Sequence, residues 1–121
     1  VGAESEDGRK SAVEKHTMWL DVASHLGCET LRMNWAGYTD DTMKTPEALN
    51  AYIERSTPPL VALSEYAETK KMNLIIENHW GPASHPDALV ALVKKVDHPR
   101  FGTLPDFGNF APEVDKYDAI D

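Results

Sequence analysis

A single cysteine, Cys28, stands among the 121 residues, which excludes an internal disulfide and a zinc site built on several thiolates. Set in the apolar stretch 28–35, it reads as a buried structural thiol, and one thiol is a cysteine usage compatible with the cytoplasm. Basic charge is scarce as well: 12 Lys and Arg face 20 Asp and Glu, for a formal net charge of −8. Without clustered cations the chain has nothing to hold a phosphate backbone or an anionic lipid surface, so nucleic acid and membrane are set aside as partners. No run approaches the ~20 apolar residues of a membrane span, and no signal-like segment opens the sequence. What remains, 41% hydrophobic and 26% charged residues, is the composition of one soluble globular domain with one core and no sign of disorder.

Periodicity orders the elements. Residues 1–8 read as a loop leading in from a preceding element. Over 9–26, Ala12, His16, Trp19, Ala23 and Leu26 recur at spacings of four and three, the apolar stripe of a helix, and Gly27 ends it. The segment 28–35 reads as a strand and 36–44 as a polar loop. Thr45 and Pro46 start a second helix as N-cap and first turn; the run Ser56, Thr57, Pro58, Pro59 should break or bend it before a second piece reaches residue 70. A strand follows over 72–79. Ser84, three residues before Asp87, resembles a capping box, and Leu89, Leu92, Val93 and Val96 give the next helix its buried face. The last strand covers 100–108, and Pro112 opens a short final helix to about residue 120. Strands separated by helices lie parallel in one sheet, so the fold class is α/β with parallel β/α units.

Parallel strands present their C-terminal ends along one edge, where α/β folds place their sites. Two strands end there in acids. In IIENHWG, 75–81, two isoleucines run into Glu77, Asn78, His79 and Trp80; in TLPDFGNF, 103–110, apolar residues run into Asp106, 29 residues beyond Glu77. Alternation puts Ile75 on the side of Glu77 and sends Leu74 and Ile76 toward the helices, while Arg32 and Asn34 share a face opposite Leu31 and Met33 and look toward a barrel interior or cleft. Two carboxylates brought close repel unless a cation sits between them. They hold a divalent metal, with oxygen donors suiting magnesium, manganese or cobalt and zinc suiting a site that a histidine joins, or each caps a helix or faces water. His79 is either a substrate contact or a loop histidine. Trp80 either stacks on a sugar ring or closes the strand end. His16 sits at the margin of the core, and His25, His85 and His98 are given no role. The DFG triplet at 106–108 lacks the glycine-rich and catalytic-loop partners that would make it kinase-like.

The segments LGCETLRMN, ALSEYAETKKMNLIIENHWG and HPRFGTLPDFGNF together resemble the xylose-isomerase-like TIM-barrel family of sugar isomerases and epimerases, the type 2 AP-endonuclease barrel, over roughly residues 9–120. The resemblance implies strands four to six of a (β/α)₈ barrel, a fold that needs about 250 residues, and so a single partial-barrel segment spanning 1–121. It implies that Glu77 and Asp106 are metal ligands and that Glu77 serves as the catalytic base; Asn34, His79, Trp80 and Asn109 are the candidate substrate contacts. Asn109 stands where family members commonly carry a substrate-binding histidine, and the family's later histidine and glutamate ligands have no counterpart after Asp106. The expected activity of the intact protein is proton transfer next to a carbonyl in a sugar or keto-sugar. The alternatives are a metal-dependent lyase or dehydratase on keto-sugars or polyols, and a catalytically inactive barrel fragment. Exposed strand edges make a homo-oligomer an expectation too.

Overall fold

A computed structural model describes residues 1–120. Three helices and three strands alternate in the order α1 (Glu6–His25), β1 (Thr30–Met33), α2 (Pro46–Thr69), β2 (Asn73–Glu77), α3 (Pro86–Val96) and β3 (Phe101–Leu104). The strands form one parallel sheet in the order β1-β2-β3. In its register Arg32 lies beside Ile75 and Ile75 beside Gly102, while Glu77 pairs with Leu104. Leu74 and Ile76 are wholly buried under the helices; Ile75 and Glu77 take the opposite face, as alternation requires. These are consecutive parallel β/α units, laid out with both acid-bearing strand ends on one edge.

Helix α1 starts where Ser5 accepts a hydrogen bond from the Gly8 amide at 3.1 Å, with Glu6 and Asp7 in its first turn, an arrangement that satisfies orphan donors and complements the helix dipole. Its packed face is rotated from the expected stripe. Leu20 and Ala23 are buried, whereas Trp19 is 55% and Leu26 73% exposed. The helix leans on α2 and β1 from one side, and Leu20, one position or about 100° around from Trp19, is the residue that side meets. Cys28 corrects the sequence reading as well: it is exposed, in the connection before β1.

Helix α2 is also a correction, because it continues from Pro46 to Thr69 straight through Pro58 and Pro59. An interior proline costs about 3 kcal/mol in lost hydrogen bonding and ring clash. Against this, Tyr52, Ile53, Leu60 and Leu63 are almost fully buried, each contributing about 1.5–3 kcal/mol, so packing outweighs the local preference to break. Ser56 Oγ and Thr57 Oγ1 donate to the carbonyls of Tyr52 and Ile53 at 2.7 and 2.8 Å, which braces the turn just before the prolines. The start is as expected, with Thr45 Oγ1 accepting from the Ala48 amide.

Two other local expectations fail. Ser84 is not the cap of α3: its hydroxyl donates to the Gly81 carbonyl and closes the 3₁₀ turn Gly81–Ser84, and α3 begins at Pro86 after His85. Beyond Pro112 the described residues make successive turns and no regular helix. The strands stop short of their expected limits because ladder pairing ends at Met33, Glu77 and Leu104. At the start of the chain, the Gly2 amide donates to the Ala36 carbonyl at 2.9 Å. Gly37, at φ +101°, allows this approach, since a Cβ there would lie 2.5 Å from the Ala3 nitrogen. Among the described residues no helix is long and apolar enough to cross a membrane.

Candidate active site

Glu77 is the last residue of β2, and its side chain is only 12% exposed. Such a carboxylate needs partners for both oxygens, and they come from three directions. From β1, Arg32 sets its guanidinium against Oε2. From the segment after β3, Asn109 Nδ2 donates to Oε1 at 2.9 Å. From its own strand end, His79 places Nδ1 3.2 Å from Oε1 and 2.9 Å from Asn109 Nδ2. The tautomer therefore selects the partner of His79: as an acceptor Nδ1 takes the amide N–H, and as a donor it gives its proton to the carboxylate.

Asp106 reaches the same edge through Asn78. This buried amide donates to the Asp106 carbonyl at 2.8 Å and accepts from the Asp106 amide at 2.5 Å. The double clamp fixes the backbone after β3 beside the end of β2, although the ladder has already ended. The Asp106 carboxylate itself accepts from the Gly108 amide at 2.7 Å and is exposed. Glu77 and Asp106 offer hard anionic oxygens at adjacent strand ends, a donor chemistry that fits magnesium or manganese; among the described residues no third His, Cys, Asp or Glu joins them in a metal-holding group.

Trp80 stands at the rim. Its indole is 68% exposed and meets the His79 ring edge-on, with centroids 4.0 Å apart. Its backbone, φ 55° and ψ 157°, occupies a region nearly reserved for glycine, at a cost of order 1–3 kcal/mol that clusters at functional sites. The next residue, Gly81, leaves room for the Tyr38 ring, whose atoms would lie 2.5 Å from a Cβ. Of the sequence candidates, the structure gathers Glu77, His79, Trp80 and Asn109 into one contacting set and holds Asp106 beside it. Asn34 is exposed on the face of Arg32, outside the hydrogen-bonded cluster. Two members escaped sequence reasoning: Arg32, for which only a facing direction was readable, and Asn78, whose place in IIENHWG was the available signal.

The comparisons agree with this geometry at the level of the fold. A structure from Anabaena variabilis assigned as a sugar phosphate isomerase/epimerase is 22% identical, with a TM-score of 0.71 over 87% of this chain and 37% of that one. A xylose isomerase-like TIM barrel protein from Mycobacterium smegmatis, solved with magnesium, is 20% identical, with a TM-score of 0.68 over 96% of this chain and 44% of its own. The Bacillus anthracis protein AsbF, assigned as a 3-DHS dehydratase of petrobactin synthesis, is 18% identical, with a TM-score of 0.69 over 98% of this chain and 42% of its own. The chain thus spans less than half the length of the solved structures it matches. No curated protein sequence matches it. Residues 1–120 match the family described as xylose isomerase-like TIM barrel, and with the parallel β/α units and the two acids at their shared edge, the chain belongs to that family.

Proposed function

We propose that the intact protein is a divalent-metal-dependent sugar isomerase or epimerase, with Glu77 as its base. The observation that carries this reading is the Glu77 carboxylate itself, nearly buried at the C-terminal edge of the sheet and held on both oxygens by Arg32, Asn109 and His79. A side chain fixed in this way is positioned for proton transfer at a carbon beside a carbonyl. Glu77 and Asp106 would hold the metal, which when bound supplies polarisation of the carbonyl and its neighbouring hydroxyl. Magnesium in the M. smegmatis relative supports that cofactor class.

In this reading Glu77 takes the proton from the carbon next to the carbonyl, and the electron pair of that C–H bond moves into an enediol. Returning the proton to the former carbonyl carbon, while the proton of the neighbouring hydroxyl passes to the former carbonyl oxygen, isomerises the sugar; epimerisation needs a second acid that delivers a proton to the same carbon from the opposite face. Arg32 balances the charge of Glu77 from β1, Asn109 and His79 fix the direction of Oε1, and Trp80 offers its indole face to the apolar side of a sugar ring. The dehydratase assignment of the B. anthracis relative favours a second reading, in which the same proton abstraction expels a β-hydroxyl as water.

A panel of ketoses and keto-glycosides, assayed with manganese or magnesium, tests both readings through the product formed. Glu77→Gln keeps the side-chain size and removes the charge. We expect it to lower turnover by at least about 10²-fold, the lower end of what a general base contributes, with the circular dichroism spectrum unchanged. Turnover within about threefold of wild type would move the base elsewhere.

A further inference from the structure

Both oxygens of Glu77 are already engaged. Oε1 receives the Asn109 amide at 2.9 Å and faces His79 Nδ1 at 3.2 Å, and Oε2 receives the Arg32 guanidinium. Asp106, the other proposed ligand, differs: its carboxylate is exposed and accepts from the Gly108 amide, a neutral donor. A divalent ion that takes Glu77 as a ligand therefore displaces a partner there. The neutral Asn109 amide can keep its place, but Arg32 cannot, because a guanidinium and a dication drawn to one carboxylate oxygen repel each other. Resting on the reading of Glu77 as a metal ligand, we infer that Arg32 is the built-in rival of the metal: guanidinium and divalent ion take Glu77 Oε2 in turn. Arg32 thus lowers the metal affinity of the site and lets go when the ion binds.

The placement of Arg32 suits that exchange. It stands on β1 in register with Ile75, two residues short of Glu77 along the sheet, so its charge reaches the carboxylate at the end of a long, flexible stem. The Arg32 side chain is 39% exposed and that of Glu77 12%. The acid is fixed, and the cation has solvent to move into. The competing role for such a partner is support. Groups that bond a metal ligand from behind orient it, and losing one weakens metal affinity by about 10- to 100-fold. Asn109 and His79 fit that description, since both sit on Oε1 and leave Oε2 to others. Arg32 holds the oxygen they leave. A cation of the protein's own at this oxygen also keeps a nearly buried carboxylate paired whenever the ion is away, which spares it the cost of an uncompensated charge. Rival and support predict opposite signs for the loss of Arg32.

Manganese titrated calorimetrically into the intact protein and into its Arg32→Met variant reads that sign. The substitution keeps most of the stem and removes the charge. We expect it to tighten manganese binding by about 10- to 100-fold, the scale of one charge-assisted hydrogen bond. Release itself is read in the unsubstituted protein, from the nitrogen-15 signal of the Arg32 Nε–H during a magnesium titration. That signal should shift, and exchange faster with water, in step with binding, while those of Arg9, Arg55 and Arg100, which bond elsewhere, stay in place. This second reading keeps the test decisive if Arg32→Met does not fold. Unchanged or weaker manganese binding in the folded variant overturns the exchange. So does an Arg32 signal that stays put while magnesium saturates the protein, even beside tighter binding in the variant, because the charge would then act from a distance. If neither protein binds either metal, the metal reading of Glu77 falls and the exchange with it; if the variant binds more weakly, the metal reading stands and the exchange alone is lost.

Discussion

Just past β1, the indole of Trp35 stacks on Tyr52 with ring centroids 4.6 Å apart, and three hydrogen bonds close the pair. Trp35 Nε1 donates to Ser56 Oγ at 2.9 Å, Ser56 Oγ donates to the Tyr52 carbonyl at 2.7 Å, and Tyr52 OH donates to the Trp35 carbonyl at 3.0 Å. Burial raises the Tyr52 hydroxyl well above its ordinary value, so it stays a neutral donor. Ser56→Ala would strand the indole N–H in the core, where an unsatisfied donor costs about 1–3 kcal/mol. We expect the unfolding free energy to fall by that amount, read as a lower urea midpoint; an unchanged midpoint would mean that the network is replaced at no cost. Residues of this kind mark the limit of the sequence. Leu74, Ile76 and Glu77 were legible because their positions follow from a period of two. The partners of Arg32 and Asn78 depend on strand register and on a loop 28 residues downstream, which no local pattern carries. Cys28 was misplaced for the opposite reason: an apolar neighbourhood in sequence suggested burial, while the strand begins only at Thr30.

At the scale of elements, α2 shows tertiary packing overriding local preference. Its two prolines behave differently, since Pro59 is buried against the core and Pro58 is exposed. Pro58→Ala restores one amide donor at a site where the ring packs on little. An interior proline costs about 3 kcal/mol and the added freedom of the unfolded chain offsets up to about 1, so we expect a gain of about 2–3 kcal/mol, read as a higher midpoint in urea. A lower midpoint would show that the ring is needed where it stands. The contact between α1 and α2 carries a charge of its own. Asp21 accepts from Tyr66 OH at 2.8 Å and pairs with Lys70 at 2.7 Å, and the Lys70 bond, with Tyr66 second, holds its carboxyl below the usual 3.8. A depressed folded value means that this stabilisation is complete above 3.8 and is lost as pH falls through the folded value. Asp21→Asn should therefore flatten stability against pH below about 3.8; identical acid limbs in both proteins would assign the acid response to other groups. The rotated stripe of α1 belongs to the same scale: a period of 3.6 establishes that a helix has a face, and only the neighbouring α2 decides whether Leu20 or Trp19 is turned inward.

For the whole molecule, the relevant fact is that a sheet of three parallel strands has two edges. The structures it resembles are more than twice its length by coverage, and in a closed barrel further strands occupy both edges. Here residues 1–3 cover only the end of the β1 edge, through the bond from Gly2 to Ala36; the β3 side is bordered by Leu104, 43% exposed. Along α1, Met18, Trp19, Val22 and Leu26 are each at least 41% exposed, an apolar strip that a neighbouring element would bury. Unpaired amides and carbonyls beside exposed apolar surface recruit other chains. We expect the 121 residues, prepared alone, to sediment as dimers or larger species at micromolar concentration. On the proposed reading Glu77 and Asp106 would supply two protein ligands, while divalent ions of this class take about six oxygens, so manganese should bind weakly. Both measurements bear on one conclusion. A cooperatively folding monomer that titrates tightly with manganese would show that these three β/α units close their own core and complete their own site, and the barrel context would then be unnecessary for either.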